Sequence, residues 1–202
     1  MRIPNLLYYF SIILHPMASS STSSALASAS TSTADGNNCY QFDVFLNHRG
    51  PDVKNTFVSH LYNRLRDHRL RVFLDREEIR KGEELTNEID GAIRAASVHL
   101  AIFSPSYCES PWCLNELLLM LEMKLKKGST ILPIFFHVKP TELRWTEGEK
   151  GVYAQSLSSL QEKRTSDSQP RHDSDIIGKW KQALHDVAGI SGFELDEAPY
   201  NG

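Results

Sequence analysis

The sequence predicts a parallel α/β fold that begins near Phe42. Short runs rich in β-branched and aromatic residues alternate from there with stretches of helical period, which is typical of successive strand and helix units. Two of these runs, 98–104 and 131–138, are almost entirely apolar, as expected for central strands covered on both faces. No internal repeat and no second domain pattern is recognisable, so one folded domain is expected.

Four strands and four helices follow from this pattern. Phe57, Leu61 and Leu65 are spaced four residues apart and mark the buried side of the first helix. Residues 139–174 are less regular, and the polar stretch 162–174 is expected to be a loop. A fifth strand lies either in this region or near Gly192. The predicted strands are 42–47, 70–74, 98–104 and 131–138, and the predicted helices are 53–67, 83–96, 111–127 and 175–188.

Composition and charge are those of an ordinary globular protein. The 202 residues are 41% hydrophobic and 23% charged. Of the 22 basic and 25 acidic side chains, all but Arg2 and Asp35 lie within residues 41–202, and this slight acidity does not favour nucleic-acid binding. Three cysteines, Cys39, Cys108 and Cys113, are an odd number without metal-binding spacing, which favours a reducing compartment over a disulfide framework or a zinc site. Cys108 and Cys113 are expected to be structural.

The first 39 residues have a different character. An apolar run at 6–14 follows Arg2 and imitates a short secretory signal, but it is too short to span a bilayer. The alternatives are an organellar, transit-like leader and translation that starts at Met17. We expect a disordered Ser- and Ala-rich segment at 1–39, a domain at 40–196 and a tail at 197–202. A cytoplasmic location is expected, with organellar or secretory targeting as the alternative.

The chain offers two loops where a ligand site is expected. An open parallel sheet binds ligands beyond the carboxyl ends of its strands, where the strand order reverses. In a flavodoxin-like order this point lies between the first and third strands. The loops at 47–52 and 104–111 follow these strands, and both carry polar and charged side chains.

The second loop leads into a well-specified helix start. Ser110 is a suitable N-cap, and Pro111 suits the first helical position. Trp112 and Glu116 then fall one turn apart on the same side of the helix. The helix dipole favours an ionised carboxylate near this end, so Glu116 is better suited to stabilise a positive charge than to donate a proton.

Common catalytic motifs are absent from the sequence. There is no GxGxxG, GxxxxGK[ST], GxSxG or HExxH pattern. A phospho-acceptor receiver would need an aspartate after the third strand, where this chain has Ser104. It would also need an acidic pair after the first strand, where the chain has Asn47 and His48.

Four segments resemble, in order and spacing, the motifs of plant Toll/interleukin receptor (TIR) domains. They are FDVFLNHRG at 42–50, VFLD at 72–75, SPWCLNEL at 110–117 and WKQAL at 180–184. The resemblance implies an α/β, flavodoxin-like, five-stranded parallel sheet of order 2-1-3-4-5 with helices on both faces. It also implies cleavage of NAD+ to nicotinamide and ADP-ribose products by a self-associated protein in immune and cell-death signalling.

The resemblance assigns roles to residues at matching positions. The family's catalytic glutamate corresponds to Glu116. The family's site-lining residues correspond to Arg49, Gly50, Ser110 and Trp112, which are therefore candidate substrate-binding residues.

The resemblance also indicates residues for self-association. In the family, the loop after the second strand packs against a neighbouring subunit and helps to complete the site. Here that loop contains Asp75, Arg80 and Lys81 as further candidates for substrate binding. Ser59 and His60 correspond to the pair through which plant TIR domains dimerise.

The chain departs from the commonest plant pattern after the first strand. His48 stands where phenylalanine is usual, and Pro51, Val53 and Lys54 replace the usual Glu, Thr and Arg. This version resembles the stand-alone TIR proteins of grasses and other monocots. The substitutions leave the product open among ADP-ribose, its cyclic or variant cyclic forms and an ADP-ribosylated nucleotide.

NAD+ cleavage suits a site with a single carboxylate. Glycosidases usually need two, but nicotinamide is cationic on its ribose and leaves as a neutral molecule, so no general acid is required. An ionised Glu116 can hold the ribose hydroxyls and stabilise the oxocarbenium-like transition state. Trp112 is expected to pack against the nicotinamide end, and Arg49 with Arg80 or Lys81 to contact the pyrophosphate. NAD+ is expected to be the substrate, and neither a separate cofactor nor a metal is expected.

Two other functions stay open at the level of sequence. A catalytically silent TIR adaptor or decoy would bind other TIR proteins through its helices, although it has no need of Glu116. A TIR assembly that acts on nucleic acid would need a basic surface. The expected partners are NAD+ and further copies of the chain, with other TIR proteins as an alternative. Neither nucleic acid nor a membrane span is expected.

Overall fold

Five parallel strands form the centre of the fold in the order β2-β1-β3-β4-β5, which confirms the predicted topology. The computed structural model describes residues 40–74, 83–144, 151–163 and 171–195. These residues fall in one compact unit that begins at Tyr40, and the predicted N-terminal segment and C-terminal tail lie outside them. The strands are β1 (Phe42–His48), β2 (Val72–Leu74), β3 (Ala96–Phe103), β4 (Thr130–Phe136) and β5 (Phe193–Leu195).

Helices connect these strands within the described ranges. None of them is long and apolar enough to cross a bilayer. A π-helical turn (Lys54–Val58) joins the first two helices, and a 3₁₀ turn (Tyr107–Glu109) precedes the fourth. The helices are α1 (Gly50–Val53), α2 (Ser59–Asp67), α3 (Glu83–Arg94), α4 (Pro111–Lys127), α5 (Pro140–Leu143), α6 (Val152–Glu162) and α7 (Ser174–Ala188).

Alternating side chains divide the core between the two faces of the sheet. On β1, Phe45 joins the main core cluster with residues of α3, α4 and α7, whereas Val44 is buried on the opposite face. On β4, Phe135 belongs to the main cluster, and its neighbour Phe136 stacks on Phe57 with the ring centroids 5.3 Å apart. The π-helical turn therefore packs on the second face, and helices cover both faces as predicted.

Most predicted elements are confirmed, with small shifts at their ends. The helix predicted at 111–127 coincides with α4, because its N-cap, apolar stripe and terminal Gly128 are all encoded locally. The first helical segment begins earlier than predicted, at Gly50, and contains a π-helical turn. In that turn the Ser59 hydroxyl donates a hydrogen bond to the Lys54 carbonyl. The fifth strand lies directly after Gly192, the second of the two predicted places.

The main correction concerns residues 139–174, which the sequence predicted to be irregular. Helices α5 and α6 lie in this region, and α6 buries Tyr153, Leu157 and Leu160. These three residues have helical spacing, but the serines and glutamines between them obscured it. The Tyr153 hydroxyl donates to the Ser104 carbonyl at 2.7 Å, so α6 is tied to the end of β3. Residues 164–170 of the predicted loop lie outside the described residues.

Trp180 joins the last helix to the fourth. Trp180 and Leu184 are buried in the core. The indole Nε1–H of Trp180 donates to Asn115 Oδ1 at 3.0 Å. This hydrogen bond links α7 to the helix that carries Glu116.

Gly192 allows β5 to approach β4 closely. A Cβ atom at this position would lie 2.4 Å from the Pro133 carbonyl oxygen and 3.0 Å from the Phe135 ring. Gly192→Ala should therefore lower the free energy of unfolding by about 1–3 kcal/mol, because the backbone must shift. Gly178→Ala is the matched control, since Gly178 lies inside α7 with open space at its Cβ position and alanine favours a helix by up to about 1 kcal/mol. Denaturant unfolding that shows both variants destabilised equally would contradict this explanation.

His99 makes the stability of the fold depend on pH. Its ring is buried in β3 with Nε2 2.8 Å from the Ile93 carbonyl oxygen. Its Nδ1 has no hydrogen-bond partner among the described residues. Burial, opposed in part by the hydrogen bond to Ile93, lowers the pKa of His99 from 6.5 to about 4.

The sign of this pH dependence follows from the unfolded chain, which protonates His99 at a higher pH than the native protein does. The contribution of neutral, buried His99 to the free energy of unfolding is complete above pH 6.5 and is lost between pH 6.5 and about 4. The free energy of unfolding falls there by up to about 1.4 kcal/mol per pH unit. His99→Leu should remove this slope, whereas His68→Gln, which removes an exposed imidazole, should keep it. Urea unfolding across this pH range tests the assignment, and an unchanged slope in His99→Leu would overturn it.

Candidate active site

The candidate site lies where β1 and β3 end side by side. The strands pair in parallel, with Asn47 opposite Ala101 and His48 opposite Ile102. The two loops that follow the carboxyl ends of these strands therefore lie at the same edge of the sheet. The loops meet through Arg49 and Ser106, whose side chains are hydrogen bonded at 2.6 Å. This is the position between the first and third strands at which the sequence predicts a ligand site.

Helix α4 begins as the sequence predicts. The Ser110 side chain accepts a hydrogen bond from the Cys113 backbone N–H at 3.3 Å, and Pro111 takes the first helical position. Trp112 is 42% exposed, which is unusual for so large an apolar side chain. Glu116 is partly buried one turn further along. The helix start therefore presents an aromatic surface one turn from a carboxylate.

A buried amide holds the Glu116 carboxylate. Asn47 is only 1% exposed at the end of β1, and its Nδ2 donates to Glu116 Oε2 at 2.8 Å. The same nitrogen lies 3.4 Å from the Cys113 carbonyl oxygen. An amide N–H that faces a carboxyl oxygen suits the ionised carboxylate, which accepts hydrogen bonds and donates none.

Tyr107 extends this network from the 3₁₀ turn. Its hydroxyl lies 2.6 Å from Asn47 Oδ1 and 3.0 Å from the Cys113 carbonyl oxygen, and its side chain is fully buried. Burial, together with smaller effects of Cys113 and Glu116, raises the pKa of Tyr107 well above its usual value. The phenol therefore stays protonated and serves as a donor to Asn47.

Arg49 is engaged by carboxylates of the chain itself. Its guanidinium pairs with Asp52 and Glu109, each at 3.0 Å. Asp52 also accepts hydrogen bonds from Ser104 and Ser106. Burial raises the pKa of Asp52, but these hydrogen bonds and the charge of Arg49 outweigh it and hold the pKa below its usual range. Arg49 and Asp52 thus form a charged link between the two loops.

The cysteines beside the site are buried thiols. Burial and the neighbouring Cys113 raise the pKa of Cys108 well above its usual value. Burial and then the charge of Glu116 raise the pKa of Cys113 to about 12. Neither residue offers a thiolate nucleophile near neutral pH, in keeping with a structural role. Within the described residues, no group of three or more His, Cys, Asp or Glu side chains could hold a metal ion.

The remaining candidates lie apart from the Glu116 network or outside the described chain. Gly50 begins α1 directly after Arg49. Ser59 and His60 open α2, where Ser59 is half-buried and His60 is exposed. Three candidates lie in the segment that the structure does not describe: Asp75, Arg80 and Lys81.

The family of the chain follows from comparison with known proteins. The TIR domain family profile matches residues 41–202. This chain belongs to the TIR domain family. It is 34% identical over 180 residues to disease resistance protein RPV1 of Vitis rotundifolia and 32% identical over 167 residues to TMV resistance protein N of Nicotiana glutinosa. These matches cover 89% and 83% of this TIR chain but only 12% and 13% of the two relatives.

A relative of more similar length is the probable 2' cyclic ADP-D-ribose synthase BdTIR of Brachypodium distachyon. It is 35% identical to this TIR chain over 161 residues, which are 80% of this chain and 69% of BdTIR. Among solved structures, a TIR-domain chain of the activated Roq1 resistosome, which directly recognises the pathogen effector XopQ, matches with a TM-score of 0.65 and 34% identity. That match covers 80% of this chain and 92% of the other. These relatives confirm the plant TIR resemblance and the flavodoxin-like fold.

Sequence reasoning missed the polar partners of the site. It places Asn47 at the end of the first strand without assigning it a role, and it does not single out Tyr107 or Glu109. One signal was available, because a polar residue that directly follows an apolar strand must find hydrogen-bond partners once it is buried. Which partners it finds depends on the tertiary structure.

Proposed function

We propose that this TIR chain is an NAD+ nucleosidase of plant immune and cell-death signalling that acts in a self-associated state. It cleaves the bond between nicotinamide and ribose and releases nicotinamide with ADP-ribose or a cyclic or variant cyclic ADP-ribose. The observation that carries the proposal is the Glu116 carboxylate, held at 2.8 Å by buried Asn47 one turn from exposed Trp112. The name of BdTIR, a probable 2' cyclic ADP-D-ribose synthase, supports the same class of substrate.

Electrostatics explains how a single carboxylate can suffice. As the bond to nicotinamide breaks, positive charge moves from the pyridinium ring to the ribose, and the leaving group departs neutral. Opposite unit charges about 4 Å apart near a protein surface attract by about 4 kcal/mol. Only the part of this attraction that is gained between bound NAD+ and the transition state accelerates the reaction, so about three powers of ten in rate is the upper limit. Glu116 supplies this stabilisation without a proton transfer, while Trp112 packs against the nicotinamide end.

Self-association completes the site in this proposal. The exposed side chain of His60, beside Ser59 on α2, is available to a second copy of the chain. By resemblance to the family, Asp75, Arg80 and Lys81 of one copy help to complete the site of a neighbouring copy, and Arg80 or Lys81 pairs with the pyrophosphate. The match to a TIR-domain chain of the Roq1 resistosome supports an assembled form.

Removing the charge of Glu116 tests the catalytic assignment. Glu116→Gln retains a side-chain oxygen that can accept the Asn47 hydrogen bond, so the fold should be kept, but the negative charge is lost. Nicotinamide release by the full chain should fall by at least about 100-fold. Glu122→Gln is the matched control, because it removes the same charge from the other end of α4, where Glu122 pairs with Lys126. Activity that survives Glu116→Gln would exclude Glu116 as the catalytic carboxylate.

Arg49 must exchange partners before it can bind pyrophosphate. Of its two carboxylate partners, Glu109 has the more exposed side chain, at 52% against 17% for Asp52, and is the easier one for a phosphate to displace. Glu109→Gln should lower the KM for NAD+ by about two- to fivefold, as expected for a partly exposed ion pair. The kcat should stay unchanged, since the competing interaction is lost equally in the ground and transition states.

Steady-state kinetics of Glu109→Gln beside Glu122→Gln checks this role of Arg49. The control variant carries the same change of net charge, so an equal fall in KM would show only a general electrostatic effect. An unchanged KM in Glu109→Gln would remove Arg49 from the substrate-binding residues.

A further inference from the structure

Beneath Glu116, the site contains two buried side chains that are hydrogen bonded to each other, Asn47 and Tyr107, which together are called the relay. Asn47 and Tyr107 are 1% and 0% exposed, so neither can contact a substrate directly from the surface. Both are nevertheless linked to the carboxylate, Asn47 at 2.8 Å and Tyr107 through Asn47 at 2.6 Å. The Asn47 amide binds the partly buried carboxylate and the Tyr107 hydroxyl binds that amide, which is more than packing requires, because apolar residues of similar shape would fill the same space.

The donors and acceptors of the relay fix the orientation of the amide. The amide nitrogen of Asn47 faces two acceptors, Glu116 Oε2 and the Cys113 carbonyl oxygen. The amide oxygen Oδ1 is then turned toward the Tyr107 hydroxyl, which donates to it. All three contacts require the same orientation of the amide, because a flipped amide would place Asn47 Oδ1 against Glu116 Oε2.

We propose that Asn47 and Tyr107 are positioning residues that orient the Glu116 carboxylate toward the ribose of the substrate. Asn47 sets the plane and rotamer of the carboxylate by binding Oε2, and Tyr107 keeps the amide of Asn47 in the orientation that makes this possible. This inference rests on the proposed NAD+ nucleosidase function. It extends the catalytic machinery of this chain from α4 to β1 and the 3₁₀ turn.

The chain supplies a matched control for the phenol. Tyr153 is also buried, and its hydroxyl donates to the Ser104 carbonyl at 2.7 Å. Tyr107→Phe and Tyr153→Phe therefore delete the same atom from similarly buried rings and lose similar hydrogen bonds. A merely structural role would make the two variants alike, whereas a positioning role concerns Tyr107 alone.

Two substitutions at Asn47 test the loss of the hydrogen-bond donor and the addition of a charge beside Glu116 separately. Asn47→Leu removes the donor at nearly constant volume and should lower kcat by about 10- to 100-fold with little change in KM. Asn47→Asp places a second carboxylate against Glu116, and two like charges at this distance resist joint ionisation. The kcat of Asn47→Asp should therefore be highest at low pH, where the introduced carboxyl is protonated and can still donate to Glu116, and should fall as rising pH removes that proton.

The experiment measures kcat, KM and the pH profile of NAD+ cleavage for the full chain and these four variants, with thermal unfolding of each. We expect Tyr107→Phe to lower kcat and Tyr153→Phe to leave kcat unchanged. The unfolding temperature should fall by a similar amount in both variants. Two outcomes would overturn the positioning role. One is a kcat that falls in proportion to the unfolding temperature in all four variants, and the other is a pH profile of Asn47→Asp that equals that of the wild type.

A failure of the proposal is distinguishable from a failure of the proposed function. If the wild-type chain cleaves NAD+ and Glu116→Gln does not, but Asn47→Leu and Tyr107→Phe are fully active, the positioning role alone is wrong. If the wild-type chain releases no nicotinamide, both the function and the positioning role are wrong.

Discussion

The hydrogen bond from Asn47 to Glu116 joins the centre of the sheet to the helix that carries the candidate catalytic group. An unsatisfied buried amide costs about 1–3 kcal/mol, so the fold is more stable when α4 presents an acceptor at this point. Asn47 lies two residues after Phe45 and therefore on the same face of β1, the face that α4 covers. The pleat of the strand thus determines that this polar residue meets α4 and not α2.

A second constraint acts at the mouth of the site, through the charged link between Arg49 and Asp52. It holds the loop after β1 against the loop after β3, since Asp52 is also bonded to Ser104 and Ser106. The buried amide and this link act at different depths, one beneath the carboxylate and one at the surface. The amide holds Glu116. Of the two carboxylate partners of Arg49, Glu109 is the one that solvent already reaches.

Membership of the TIR family favours a catalytic interpretation of the arrangement around Glu116. A lone carboxylate near a helix start would ordinarily be a solvated side chain. Here it is partly buried, held by a neutral donor and placed one turn from an exposed tryptophan, which suits a substrate that carries its own positive charge. The adaptor alternative needs the fold and its surfaces but has no need of a carboxylate at Glu116 beside an exposed tryptophan.

The features that the sequence predicts well are those encoded locally. The cap at Ser110, the proline at 111 and the glycine at 128 define α4 within a short stretch of chain, and the apolar runs identify β3 and β4. The relay was not predictable in the same way, because Asn47 and Glu116 are 69 residues apart and meet only after β1, β3 and α4 have packed. Helix α6 was missed although Tyr153, Leu157 and Leu160 have helical spacing, since polar residues separate them in an otherwise irregular region.

The most direct test of the central claim is NAD+ consumption by the full chain over a wide range of protein concentrations, with the products resolved by mass. We expect nicotinamide and an ADP-ribose product in equal amounts, and a rate per molecule that rises with protein concentration because the active form is self-associated. Absence of nicotinamide at every concentration would contradict the enzymatic claim and leave an adaptor of TIR signalling as the function. A rate per molecule that does not depend on concentration would contradict the requirement for assembly.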